Sequence, residues 1–400
     1  MQARWIAGLN SRSLMAPLVM TGLLVGLGAG PASALTCGSW TVVPSPSPGS
    51  VVNVLNGVAA VSAANAWAVG EHANHRPGPY KTLIERWDGT AWKQVPSPNP
   101  ARSTNPSLNG AAANSAASAW AVGSYSTRTQ AKTLIEQWNG TAWKIVPSPS
   151  PGTATTLAGV AATSAANAWA VGSYTTRTAG LPLIEHWDGT AWKQVPSPNP
   201  TGGSEAELDG VAATSAANAW AVGSYDRGTQ TLIEHWNGTA WKIVPSPNPG
   251  PNGGPNALFG VAATSAADAW AVGHMCTFCA TSDQGLQTLI LHWDGTAWKQ
   301  VPSVNMGGLD TGLSGVAATS TGNAWAVGGS GSALGSRSTL TEHWDGTAWK
   351  LVPSPNPGIS NGFHGLSGVA ATSAANVWAV GFKQGTTRFT KSKTLTLHFC

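Results

Sequence analysis

The chain has 400 residues, only 10% of them charged, with 48 Gly, 27 Pro and 21 Trp. So many Trp and so few charges exclude a disordered chain. The net charge of +4, with no run of Lys or Arg, argues against a nucleic-acid surface.

The first 34 residues read as a secretory signal. Arg4 and Arg12 make a positive start, Leu14 to Gly28 is an apolar run, and Pro31-Ala32-Ser33-Ala34 supplies the small residues of a cleavage site. A membrane anchor is the competing reading, but the run is short and rich in Gly. The stretch before Cys37, "ALTC", lacks the small residues that precede a lipidated cysteine. Cleavage near Ala34 makes the protein secreted, and no later stretch is long and apolar enough to span a bilayer. Loss of Arg4 and Arg12 takes Lys plus Arg from 21 to 19 against 17 acidic residues, so the mature charge is +2.

The mature chain begins with "CGSWTVVPSPSPG", followed by seven copies of "AWAVG" or a close variant, at Trp67, Trp120, Trp169, Trp220, Trp270, Trp325 and Trp378. A fixed period of about 50 residues marks one supersecondary unit that buries its apolar face only against its neighbours. In the copy from Leu157 to Pro200, four short runs follow one another: "LAGVAATS", "NAWAVGSY", "PLIEHWDG" and "TAWKQVPSPNP". Asp188-Gly189, like Asn139-Gly140 and Asn237-Gly238 in other copies, predicts a tight hairpin with positive φ at both residues. Each repeat therefore reads as four antiparallel strands. Such sheets stack radially, with the small-residue first strand at the crowded centre and the Pro-bearing fourth strand at the outer edge.

The last repeat begins at Leu366 and stops at Cys400 without a fourth strand, whereas Trp40 and Pro44 near the start align with Trp92 and Pro96. The expected fold is all-β: a single seven-bladed β-propeller over residues 35–400, with one blade split between 37–50 and 366–400. In that alignment Cys400 takes the Asp88 position and Cys37 the Gly89 position, which predicts a disulfide in place of the missing turn. Cys276 and Cys279 are expected to pair within their loop. A metal site there would need further ligands, and none is expected.

Four-stranded units with paired Trp signatures resemble the kelch-type and Asp-box (BNR-like) propellers of secreted bacterial proteins. The turn in "WDGTAW" sits where the Asp-box family places its own. The resemblance covers the whole mature chain and implies a fold, not an activity.

Two connections vary in length, the one between strands two and three and the one between repeats. Both emerge on one face of the ring, where binding is expected. Tyr125, Tyr174 and Tyr225 recur there, followed by Arg128, Arg177 and Arg227, and Arg76, Arg337 and Arg388 lie in corresponding loops. Aromatic faces beside Arg forks suit sugar rings or acidic groups. Packing of these Tyr against the next blade is the competing reading. The recurring Glu185-His186 pair, with Glu234-His235 and Glu342-His343, is expected to be structural, because a catalytic site needs one such pair and not a ring of them. Glu205, Glu207 and Asp209 form an acidic cluster without a calcium-loop spacing. No catalytic constellation or cofactor motif stands out. The expected function is a monomeric, secreted binding scaffold of lectin-like kind for an extracellular glycan or protein. The alternative is a glycan-acting hydrolase or lyase.

Overall fold

Runs of alternating Ala, Trp and Val bounded by Gly and by Asp-Gly turns favour short strands, and strands are what the chain forms. A computed structural model describes residues 38–400 apart from 77, 201–204, 252–253, 277–284, 306–309, 332–336, 359–361 and 386–390. The described residues hold 28 strands and no helix. The ladders group them into antiparallel four-stranded units over 52–95, 104–145, 154–195, 206–243, 256–300 and 310–351, and a last one over 363–399. The last unit takes its fourth strand, Trp40–Val42, from the start of the chain, in the register Trp40 to Phe399 and Val42 to Leu397. Single parallel bridges, Ala131 to Ala154 and Arg337 to Phe363, link two pairs of neighbouring units.

The core lies between units. Trp120, Val122 and Ile135 of the second unit pack with Leu157, Val160, Ala168, Leu183, Trp187 and Trp192 of the third. The same arrangement repeats around the molecule and returns to its start, where Trp378 and Val380 pack with Leu55, Val58, Leu83 and Trp92. Each "AWAVG" Trp meets two aromatic residues of the following unit. Trp169 lies 4.9 Å from Trp236 and 5.1 Å, edge to face, from Trp241. At the split unit Trp325 meets Trp40 at 5.3 Å and Phe399 at 4.5 Å. Aromatic pairs in these geometries contribute about 0.5–1.5 kcal/mol each beyond the area they bury.

The first strands approach one another closely at the centre, where Gly-Val pairs such as Gly159 and Val160, one from each unit except the second, which supplies Gly110 and Ala111, line a channel of about 130 Å³. A Cβ on Gly110 would lie 2.8 Å from the carbonyl oxygen of Ala158 in the next unit. Every first strand also carries a bulge just before this Gly, between Leu157 and Gly159 in the third unit. The extra residue adds twist to the strand.

Three local expectations are corrected. First strands begin earlier than the repeat suggests, at Ala154 and not Leu157, and at Phe363 and not Leu366. Fourth strands are shorter, as in Trp192–Val195, and leave out "PSPNP". The reason is that Pro has no N–H for a ladder. A side chain serves instead. Asn99 accepts from the backbone N–H of Thr82 at 3.1 Å, and Asn248 from that of Thr231 at 2.7 Å. In the third unit Pro182 removes that donor, and the equivalent Asn199 Oδ1 is left buried without a hydrogen-bond partner. The hairpin turn also differs. Only the Gly takes positive φ, +93° at Gly189. Asp188 Oδ1 closes a four-residue loop by accepting from the N–H groups of Thr190 and Ala191.

Candidate functional site

The two faces of the ring differ in what their side chains have left to offer. On one face the turns after the first and third strands meet, as Trp187 Nε1 donates to Ala165 O at 3.0 Å. This face satisfies itself. Asp188 accepts from Thr190 and pairs with Lys193 at 2.5 Å, and the same set recurs at Asp88, Asp294 and Asp345. The Lys beside each Asp, with the turn hydrogen bonds, holds these carboxyls well below the usual range.

Glu185 and His186 do not form an acid–base pair. His186 Nε2 hydrogen-bonds Asn167 Oδ1 at 2.8 Å and its ring lies 4.2 Å from Trp169, an arrangement repeated by His235 and His343. The Glu side chains are buried between units. Glu136 accepts from Ser97 of the preceding unit, Glu234 from Ser197 and Glu342 from Ser303. Burial pushes Glu85, Glu136, Glu185 and Glu234 up to about 8. Ser148 faces Glu185 but donates to Thr133 at 2.7 Å, so both Glu185 oxygens lack a hydrogen bond of normal geometry. Leu291 and Leu397 occupy the same position in two other units.

A test follows from that substitution. A folded-state pKa above the unfolded 4.5 contributes stability that is full below about 4.5 and lost as the pH rises through about 8. Glu185→Leu is therefore expected to raise stability by roughly 1–3 kcal/mol. The margin over the parent protein should widen as the pH climbs through that window. Thermal melts across pH check this, and a variant that melts lower at every pH contradicts it.

The opposite face carries the non-repeated chemistry. Tyr125, Tyr174 and Tyr225 are half-buried and pack against the clusters between units. Arg128 and Arg177 are exposed, as are Arg76 and Arg337, and Arg388 lies outside the described residues. Arg227 stands at a turn where Asp226, Arg227 and Gly228 all take positive φ. Its Nε lies 3.9 Å from Glu205, a long and exposed pair.

Beside Arg227 a cavity of about 380 Å³ opens between the third and fourth units, lined by Ser173, Thr175, Glu205, Glu207 and Ser224. Asp209, two residues beyond Glu207 on the same first strand, has Oδ2 buried with no hydrogen-bond partner. Burial, followed by the charge of Glu207, pushes its carboxyl up to about 8. Between the first and second units the equivalent ground is closed. There Ser107 donates to Glu71, and Asn56 reaches both Glu71 at 3.4 Å and Leu108 O at 2.9 Å. Glu71 escaped notice in the sequence, although it follows "AWAVG" where three other repeats have Ser. No group of three or more His, Cys, Asp or Glu among the described residues is placed to hold a metal ion.

Cys37 and Cys279 lie outside the described residues. Gly38 N donates to Cys400 O at 2.5 Å at the seam of the split unit. Cys276 is buried and disulfide-bonded.

No family model matches the chain, and no curated protein sequence matches it. Solved structures do. YCF48 bound to D1 peptide is 15% identical, with a TM-score of 0.51 over 92% of this chain and 98% of that one. YCF48 from Cyanidioschyzon merolae is 16% identical, with a TM-score of 0.52 over 90% of this chain and 98% of that one. These likenesses show the fold, a β-propeller.

Proposed function

We propose that this β-propeller is a secreted, monomeric binding scaffold that holds an extracellular protein or glycan against its variable face and performs no chemistry of its own. The contrast between the faces carries the reading. One face repeats the same self-satisfied Asp–Thr–Lys turn, whereas the other bears the loops of unequal length, the exposed Arg side chains and the cavity beside Arg227. Variable loops on a rigid frame are the usual site of binding. A neighbour of this fold was captured with a peptide, which supports a protein partner here. The Tyr side chains, already packed between units, have less aromatic face to stack on sugars, so the lectin-like form rests on the Arg loops. The turn between the third and fourth strands supports kinship with Asp-box repeats.

Peptide and glycan arrays with the mature chain would find the ligand, and hydrogen exchange would map it. Arg128→Glu with Arg177→Glu is expected to weaken binding by roughly tenfold, about 1.4 kcal/mol. Thr190→Ala on the other face should leave affinity unchanged. A footprint on the uniform turns overturns the reading.

The hydrolase or lyase alternative has one observation in its favour, the non-repeated neighbours Glu207 and Asp209, of which Glu207 lines the cavity beside Arg227. Glycan turnover that disappears in Asp209→Asn would put the enzyme in place of the scaffold.

A further inference from the structure

We propose that the mouth of the central channel, on the side of the fifth and sixth units, is a subsite for one neutral sugar ring. The inference rests on the scaffold reading and gives its glycan form a contact apart from the Arg loops.

A contact between units defines the place. The residue just before each channel Gly is the extra residue of the strand bulge, Asn56 in the first unit and Phe259 in the fifth. It stands beside the residue that follows "AWAVG" in the second strand. In the first unit Asn56 lies 3.4 Å from Glu71, and Ser107 of the next unit donates to Glu71. In the fifth unit the ring of Phe259 lies 5.1 Å from that of His274. The sixth unit then has Gly312 at the repeat position of Ser107, with Gly329 opposite it in the ladder. No hydroxyl comes from there to His274. Neither of its ring nitrogens has a hydrogen bond with a described residue. A Cβ on Gly312 would lie 3.9 Å from His274 Nδ1 and 3.7 Å from His274 Cβ, and would meet no other described atom within 4 Å. Space for a small side chain is open, and a polar ring borders it. First strands begin where the connections between units arrive, and Phe259 and Gly312 are the fourth and third residues of theirs, so the space opens on the variable face.

The chemistry of the walls selects the occupant. Burial pushes the pKa of His274 down, so its ring is neutral at pH 7. An ionised ligand group would lose water here without gaining a counter-charge. A neutral imidazole offers one donor and one acceptor, which suits a hydroxyl. Ser314 and Ser367, the bulge residues of the sixth and last units, add hydroxyls that have no hydrogen bond with a described residue. Phe259 is half-buried and adds an apolar face. A sugar ring carries hydroxyls around its edge and C–H bonds on its face, so it uses both kinds of wall. On the first two units the same ground is closed, as Asn56 and Asn109 donate to Leu108 O and Leu157 O.

The probes are the methyl glycosides of glucose, galactose and mannose, followed by saturation-transfer NMR on the mature chain. At least one is expected to bind with a Kd of roughly a millimolar. Its uronic-acid counterpart should bind about tenfold more weakly. Acetylserine amide, a neutral hydroxyl without a ring face, should not bind. Gly312→Ser installs the residue found at Ser107. It should fill the space, engage His274 and weaken binding by about tenfold, with a thermal melt like the parent's. Phe259→Ala should weaken binding by a similar factor and decides the matter if Gly312→Ser does not fold. Thr190→Ala on the other face should bind like the parent. Equal binding of the uronic acid or of acetylserine amide, or parent-like binding in either folded variant, would overturn the proposal. An array ligand held by the variable face while all three glycosides fail would also overturn it and leave the scaffold reading intact.

Discussion

Gly172→Ala is expected to lower stability by roughly 3 kcal/mol or more, which corresponds to a fall of about 4 °C or more in melting temperature. A Cβ at this position would sit 2.0 Å from the carbonyl oxygen of Thr156 and 2.8 Å from the Cα of Leu157. Both obstacles are backbone of the first strand, held by the bulge between Leu157 and Gly159. They can yield only if the strand at the centre of the ring moves, and Gly210 and Gly110 on either side leave it little room. The same clash recurs at Gly70, Gly123, Gly223, Gly273, Gly328 and Gly381, so the effect should transfer between units. Gly329→Ala is the control. There the nearest atom is 3.5 Å away, and the change should be almost neutral. Urea melts of both variants check the pair. A Gly172→Ala protein that melts with the parent would show that the bulge relaxes freely.

Removal of residues 38–50 is expected to abolish cooperative folding. This segment supplies the fourth strand of the last unit, and Trp40 in it is 4% exposed between Trp325 and Phe399. It also supplies Ser45 and Ser47, which hydrogen-bond Thr394 at 2.7 and 2.9 Å. Without it Ser392–Phe399 becomes a bare sheet edge of eight residues, a template for pairing with other chains. Trp40→Ala alone should lower stability by roughly 3–5 kcal/mol. Calorimetry and light scattering distinguish the outcomes. The truncated chain should aggregate, and Trp40→Ala should melt early as a monomer. A truncated chain with the parent's single sharp transition would show that the ring does not depend on its seam.

Much of this was legible in the residues because it is local and repeated. Alternation in "NAWAVG" specifies a strand, "WDGTAW" specifies a hairpin, and the orphan Trp40 strand aligned with Trp92 predicts that the two ends pair. Sequence reading also assigned Glu185 and His186 to structure, on the ground that a site is not repeated around a ring. Even so, the Asp-Gly turn was read from its two residues alone, although the Asp188 carboxylate closes a longer loop. The Pro-rich tail was read as strand, although Asn99 and Asn248 do the bonding that Pro cannot.

What tertiary structure alone decided lies between units, where the partners are distant in sequence. Ser173 and Glu207 line one cavity although they belong to different repeats. Glu136 meets Ser97 across a junction. The three Tyr residues, equal to any surface aromatic in the sequence, have their faces largely covered by packing between units. Burial is the physical reason in each case. A carboxyl's proton, a ring's free face or a pocket's charge depends on what the next unit places against it, and a repeat read alone contains no neighbour.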